Sequence, residues 1–380
     1  MMPSDTSGMA IDMQHFFKMY EILTDLDVLY DAFEKSRQGV DWKCSIQKYE
    51  YNLFPELMKL RRRLMDGKYK QKPFFEFDIN ERGKHRHIRS LHISDRVLQR
   101  ALCDNILIPV FYRYLIYDNG ASVKGKGIEF TRQRLICHLQ KYYRKHGHVG
   151  YILLVDFSKF FDSIPHDKLM EMIREKIDDE RVVELLRDII ATFDTGDHRS
   201  LGIGSQISQI FGIYYPTKID NYIKIVKGCK YYGRYMDDFY VIHHDKQFLK
   251  GLLVEVTEIA EDLGLSINKK KTQIYRIDKG FTFLKLYTFI TPTGKIIRKP
   301  CKKNIVRQRR KLKKMYKNGT YFDDVLESYK SWRGNVLKYN SYHTVKNMDT
   351  LFYYLFGEQM YAERKSIESK RSKSDHSRAF

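Results

Sequence analysis

The sequence predicts an α+β fold, and three observations carry that prediction. Apolar residues recur at helical spacing at Val97, Leu98, Ala101, Leu102 and Ile106 and again at Ile207, Phe211, Tyr215 and Ile219. Between and after them lie short apolar runs of strand length, such as "YILLVDF" from Tyr151 and "GRYMDDFYVI" at 233–242. Proline and glycine are sparse, 8 and 22 of 380 residues, so no long linker separates the parts. A hydrophobic content of 43% suffices for cores in about two or three packed subdomains of one compact chain.

Taken in order, residues 1–18 are polar and loosely ordered. Residues 21–64 read as helical, ending in Arg61, Arg62 and Arg63 and the turn Asp66-Gly67. Residues 73–92 read as strands around a tight turn in "NERGKHR". The helix "SDRVLQRALCDNILIPVF" follows, with Ser94 as its cap and Val97, Leu98, Ala101, Leu102 and Ile106 on its buried stripe. After the Tyr151 strand come helices from near Pro165 and over about 179–193. "GIGSQISQIFGIYYPTKIDNYI" is a loop entering a helix, which Pro216 kinks or breaks. Two extended runs then meet at Asp237-Asp238. A helix over roughly 247–264 and a strand pair around 281–298 precede basic helices from residue 302. Residues 363–380 have almost no apolar content and read as a disordered basic tail.

The formal net charge of +21 and pI of about 9.5 call for an anionic partner. Nucleic acid is favoured over a membrane surface, since no apolar run approaches the ~18 residues of a spanning helix. The start "MMPSDTSGMA" has no basic n-region and no apolar h-region, which argues against a signal peptide. Cys44, Cys103, Cys137, Cys229 and Cys301 include no C-x-x-C pair, so they read as reduced thiols of a cytoplasmic protein rather than zinc ligands or a disulfide framework.

The chemistry is concentrated in carboxylates. Asp237 and Asp238 repel each other, yet sit side by side between apolar runs, where they can share a cation that neither holds alone. A D-D pair by itself also fits an ordinary hairpin turn. That plainer reading must also account for Asp156, which closes the Tyr151 strand, for the Gly-Ser-Gln loop between the two sites, and for the charge. Asp156 with Asp237 can bridge two Mg²⁺ ions about 3.5–4 Å apart, with Asp238 in support.

These residues resemble the motifs of reverse transcriptases. "YMDDF" is similar to motif C, and "LLVDFSKFFDSI" to motif A, with Asp156 as metal ligand and Phe161 at the steric-gate position. "IGSQISQ" at 203–209 resembles motif B, "SINKKKTQI" motif D with its Lys271, and "GFTFLKL" the motif E primer grip at Phe283-Leu284. "RGKHRHIRSLHISDRVLQRAL" resembles the fingers of bacterial group II intron-like enzymes. The motifs occur in family order between about residues 50 and 355.

The resemblance implies a right-hand polymerase fold: an N-terminal extension (1–45), fingers (46–145), palm with an antiparallel sheet (146–296), helical thumb (297–362) and the basic tail. It implies RNA-directed DNA synthesis with two Mg²⁺ ions, or Mn²⁺ as substitute, held by Asp156, Phe157, Asp237 and Asp238. The partners are an RNA template, a DNA primer or product, and deoxynucleoside triphosphates. Arg82, Lys84, Arg86 and Arg89 hold the triphosphate, or form a solvated basic hairpin. Phe157, Phe161, Ile203, Gly204, Ser208 and Gln209 line the nucleotide; Phe161 as a wall under the sugar competes with a core role. Lys271 protonates the departing pyrophosphate or contacts a phosphate. Phe283 and Leu284 grip the primer or fill the hairpin core. Residues 302–317, with Trp332, Tyr339 and Tyr342, look like a thumb gripping an RNA–DNA duplex. Nothing resembles an RNase H domain or a metal-bound endonuclease.

Ile203 stands where most relatives carry Gln. Aliphatic-Gly-x-x-x-Ser-Gln and "LYDAFEKSRQGVDWK" resemble the enzymes of diversity-generating retroelements, whose copying is of low fidelity. Pro216 departs from that pattern, and antiphage-defence reverse transcriptases also carry unusual motif B loops. The subfamily therefore stays open between diversification and defence, the latter copying a non-coding RNA or polymerising without template. A small accessory protein or a dedicated RNA is the implied further partner. A nucleic-acid-binding scaffold with a degenerate site is the third reading, against which the intact Asp156, Asp237 and Asp238 argue.

Overall fold

A computed structural model describes residues 19–81, 84–194, 196–202 and 204–376. The described residues form two units: those up to His138 together with Leu153–Ile274, and Leu139–Ile152 together with those from Tyr275 onward.

In the first unit the expected helical run divides into α1 (Leu26–Arg37), α2 (Cys44–Tyr51) and α3 (Leu53–Met65). The break after α1 contains Gly39 at φ +73°, a left-handed conformation that ends a helix at little cost. Strands β1 (Phe75–Glu81) and β2 (Lys84–Ser90) form an antiparallel hairpin in register from Phe75↔Ser90 to Glu81↔Lys84. Helix α4 (Ile93–Leu102) corrects the expected cap. His92 is the N-cap, its ring nitrogen accepting from the Ser94 backbone N–H at 3.2 Å, and Ser94 lies inside the first turn. His92 alone has the extended backbone that a cap requires (ψ 151°). The helix continues through a π-turn at Cys103–Leu107.

The central sheet has the order β4-β5-β3-β6. It comprises β3 (Tyr151–Val155), β4 (Tyr232–Tyr235), β5 (Asp238–His243) and β6 (Gln273–Arg276). β4 and β5 pair antiparallel, from Tyr232↔Val241 to Tyr235↔Asp238. Ile152 to Val155 are all buried, which explains why β3 reads as a continuous apolar run rather than an alternation. Helix α5 (Ile128–His146) precedes β3, and helices α6 (His166–Arg174) and α7 (Glu180–Ala191) pack on each other. Helix α8 (Gln206–Tyr214) stops before Pro216, which caps the next short helix, Thr217–Asn221. Helix α9 (Lys246–Asp262) packs on β5.

In the second unit the expected strand pair is a three-stranded meander of β7 (Phe281–Phe283), β8 (Leu286–Ile290) and β9 (Ile296–Pro300). Helices α10 (Lys302–Lys317), α11 (Phe322–Val336) and α12 (Tyr342–His376) enclose a core of Leu312, Val325, Tyr329, Met348, Phe352 and Phe356. Trp332 packs against that core. α12 runs to His376 through the segment expected to be disordered. Low apolar content removes packing, but a run of Glu, Lys, Arg and Ser without Pro or Gly keeps enough helical propensity to continue a turn already formed. Among the described residues no helix is long and apolar enough to cross a membrane.

Candidate active site

Strand β3 ends by delivering Asp156, whose carboxylate is almost fully buried. The backbone N–H of Asn268 donates to the Asp156 carbonyl at 2.8 Å, and the Asn268 side-chain amide donates to Asp156 Oδ2 at 3.2 Å. Lys271 Nζ donates to both carboxylate oxygens, at 2.9 and 2.7 Å. Motif A and motif D residues, more than a hundred positions apart in the chain, therefore meet directly.

The second pair of carboxylates comes from the β4–β5 turn. Tyr235↔Asp238 is the last paired position, which leaves Met236 and Asp237 as a two-residue loop. Met236 has φ +58°, a costly left-handed conformation for a residue other than glycine. Asp238 opens β5 close enough to Asp156 and Asp237 to feel both charges, so the three carboxylates converge at the mouth of the sheet. Burial, then the negative charges of Asp237 and Asp156, push the Asp238 carboxyl up to about 7, against the opposing pull of Lys271. The hydrogen bond to Asp156 raises Lys271 above the usual lysine range. Such a site is short of positive charge.

The donor chemistry fits divalent ions: carboxylate oxygens are the hard ligands Mg²⁺ takes. Among the described residues, no group of three His, Cys, Asp or Glu is arranged as it stands to hold a metal. The Lys271 ammonium sits on both oxygens of Asp156.

The turn has a support that the sequence reading missed. Arg234 is fully buried. Its Nε and Nη2 donate to Asp220 at 2.8 and 2.5 Å, its Nη2 to the Ile213 carbonyl at 2.8 Å, and its Nη1 to the Met236 carbonyl at 3.0 Å. The Tyr232 hydroxyl also donates to Asp220. One guanidinium thus ties α8, the Asp220 helix and the strained turn together. An arginine inside the apolar β4 strand, with an aspartate in the helix before it, was the available signal.

Motif B wraps the same end of the unit. Gly204 has φ +116°, and a Cβ there would lie 3.6 Å from the Arg89 carbonyl, so the fingers hairpin and this loop run close together. Ser205 donates to Gln99 Oε1 at 2.7 Å. Ser208 is buried and its hydroxyl donates to the Leu201 carbonyl, so it fastens the loop instead of facing a nucleotide. Gln209 is exposed, with Ser122 Oγ 3.4 Å from its Oε1.

Arg89 pairs with Glu76 at 3.1 Å and donates to the Phe193 carbonyl at 3.4 Å. With Phe75, Phe77, Arg96, Arg100 and Gly204 it lines a cleft of about 1140 Å³. Phe157 is a core side chain, stacked on Phe160 and near Phe239 at ring distances of 5.7 and 6.0 Å, so only its backbone is available to a ligand. Phe161 is half-buried beside Gly212 and Met236. Arg82 and Ile203, and the side chains of Lys84 and Arg86, lie outside the described residues. In the second unit, Phe283 is buried and Leu284-Lys285 form the β7–β8 loop at φ +44° and +69°.

A family profile described as "Reverse transcriptase (RNA-dependent DNA polymerase)" matches residues 70–288. A COX1/OXI3 intron 2 protein of Saccharomyces cerevisiae is 24% identical over 248 residues, 48% of this chain and 28% of that protein. Protein YkfC of Escherichia coli is 26% identical over 281 residues, 60% of this chain and 70% of that one. Among solved structures, an apo telomerase from Candida tropicalis, truncated from its C-terminal domain, matches with a TM-score of 0.45 and 16% identity, over 59% of this chain and 54% of that chain. The profile match covers more than half of the chain and takes in both β3 with Asp156 and the turn with Asp237 and Asp238. The carboxylates at the mouth of this sheet are thus those of a reverse transcriptase domain, and the chain belongs to the reverse transcriptase (RNA-dependent DNA polymerase) family, with the right-hand polymerase fold.

Proposed function

We propose that this chain is an RNA-directed DNA polymerase working by two-metal nucleotidyl transfer. The observation that carries the reading is the convergence of Asp156 and Asp238, with Asp237 beside them, at the mouth of one sheet. Asp156, Asp237 and Asp238 would hold the ions, with the Phe157 backbone beside them. When bound, Mg²⁺ (or Mn²⁺) lowers the pKa of the attacking 3′-hydroxyl and stabilises the leaving pyrophosphate.

The chain's own residues supply the rest. Lys271 leaves Asp156 and carries a firmly held proton that it can give to the pyrophosphate. Phe161 forms the wall that rejects a 2′-hydroxyl. Arg89, with Arg82, Lys84 and Arg86 of the same hairpin, offers charge-assisted donors to the triphosphate, while Gly204 lets the backbone approach the nascent pair. Gln209, exposed on α8, would contact the nucleotide. Phe283 and Leu284 grip the primer strand, and α10, which carries no acidic residue, holds the duplex backbone.

Ile203-Gly204 with Ser208-Gln209 supports low-fidelity copying in a cytoplasmic diversity-generating retroelement, aided by a small accessory protein. The break at Pro216 supports the other reading, a defence enzyme that copies a non-coding RNA or works without template. Primer extension on a defined RNA tests the core reading. Asp237→Ala should abolish deoxynucleotide incorporation while circular dichroism stays unchanged, and extension near wild-type rates would refute the site.

A further inference from the structure

We propose that Gly212 is a positioning residue for sugar selection: by lacking a Cβ it lets the Phe161 ring lie back against α8, which sets the space left for the nucleotide's sugar. This rests on the reading of Phe161 as the wall under that sugar. A Cβ built on Gly212 falls 3.0 Å from Phe161 Cε1 and 3.2 Å from Cζ, closer than side chains tolerate without movement. Met236 Sδ stands 3.3 Å from the same point, so the added Cβ would press on Met236 as well as on the ring.

The surrounding structure decides what gives way. Helix α8 cannot easily retreat. The carbonyl of Ile213, next to Gly212, is bound by buried Arg234, and Phe211 is fully buried against Phe111 with ring centroids 5.6 Å apart. The backbone of Phe161 is held too, its carbonyl accepting from Leu201 N–H at 2.9 Å. Phe160 meets the Phe161 ring edge-on at 5.4 Å. The ring is half-buried, so its open side is where a push from α8 sends it. A methyl group at residue 212 therefore moves the wall outward, toward the sugar.

The test is single-nucleotide incorporation by the full chain on an RNA template, with matched deoxy- and ribonucleotides. It compares wild type, Gly212→Ala, Phe161→Ala and the double variant. Gly212→Ala should raise KM for the deoxynucleotide while kcat changes little, and should increase discrimination against the ribonucleotide about three- to tenfold. In the Phe161→Ala background, which itself relaxes discrimination, Gly212→Ala should change nothing, because the two act through one contact. If Phe161→Ala relaxes discrimination and Gly212→Ala leaves it as in wild type, Gly212 has no such role and the wall stands. If Phe161→Ala leaves discrimination intact, the wall itself is refuted. Should Gly212→Ala not fold, Met236→Ala frees space at the same point beside Gly212, into which the ring can settle further back. That shift should lower discrimination, and an unchanged ratio overturns the proposal.

Discussion

Arg234 and Asp220 form a fully buried ion pair, with their closest atoms 2.5 Å apart, and the remaining donors of the same guanidinium reach the Met236 and Ile213 carbonyls. Two charges with no solvent contact are a poor way to gain stability, because desolvation consumes most of their attraction. They are a good way to fix geometry, and the geometry fixed here is that of the turn presenting Asp237. Asp220→Ala should cost about 3–5 kcal/mol in urea unfolding, since it leaves a buried arginine unpaired. A paired replacement, Asp220→Leu with Arg234→Met, should restore most of that stability yet leave incorporation well below wild type, because no donor then holds Met236. Full activity in the paired variant would show that the turn needs no such support.

Asp238 makes the metal-free protein lose stability as pH rises from acid to neutral. Its carboxyl titrates near 7 in the folded protein, far above its value in an unfolded chain. The protonated form is favoured by folding, so this contribution is complete below the ordinary carboxylate pKa and is lost as pH rises through about 7. Melting temperature in EDTA should fall between roughly pH 4 and 7 and level off above it. Mg²⁺ should reverse the fall, and Asp238→Asn should flatten it. A wild-type melting curve indifferent to pH across that range would contradict the arrangement.

On the proposed reading Lys271 has two opposing effects on the reaction. Bound to Asp156, it would compete with a divalent ion; released, it would donate a proton. Lys271→Ala should therefore lower the Mg²⁺ concentration that half-saturates the enzyme while reducing kcat by about 10²–10⁴-fold. Titrating Mg²⁺ in a primer-extension assay separates the two. A variant with unchanged kcat would leave Lys271 only its ionic role.

Ile203 should set accuracy. A glutamine can hold a nucleotide by a directed hydrogen bond, whereas isoleucine only packs against it and penalises a misplaced base less. One such bond is worth about 0.5–1.5 kcal/mol, so Ile203→Gln should lower misincorporation about two- to tenfold. The diversification reading places the largest effect opposite template adenines. Deep sequencing of products copied from one RNA reads the spectrum. An unchanged or higher error rate with activity retained would favour the defence reading.

The carboxylates were legible because each sits at a fixed place in an element the sequence announces: Asp156 at the end of an apolar strand, Asp237 and Asp238 between two more. Gly204 and Pro216 were legible because their backbones permit few alternatives. The Arg234–Asp220 pair was not, since a buried charge opposes every compositional expectation and its partner lies in another element. Ser208 was misread for a related reason: a hydroxyl can face a ligand or close its own loop, and only the path of Leu201 decides. His92 displaced Ser94 as cap because backbone conformation, not side-chain type, selects that position.

The loop between β7 and β8 carries a consequence for making a hardier enzyme. Leu284 and Lys285 are both held at positive φ in a two-residue hairpin, where Asn-Gly would sit without strain. Nature commonly leaves such tension only where a side chain is needed for work. An engineer raising heat tolerance for laboratory cDNA synthesis would find recoverable free energy in these two residues. If Leu284 grips the primer as proposed, the same exchange would remove that grip, so endurance and processive copying would be set against each other at a single bend of the chain.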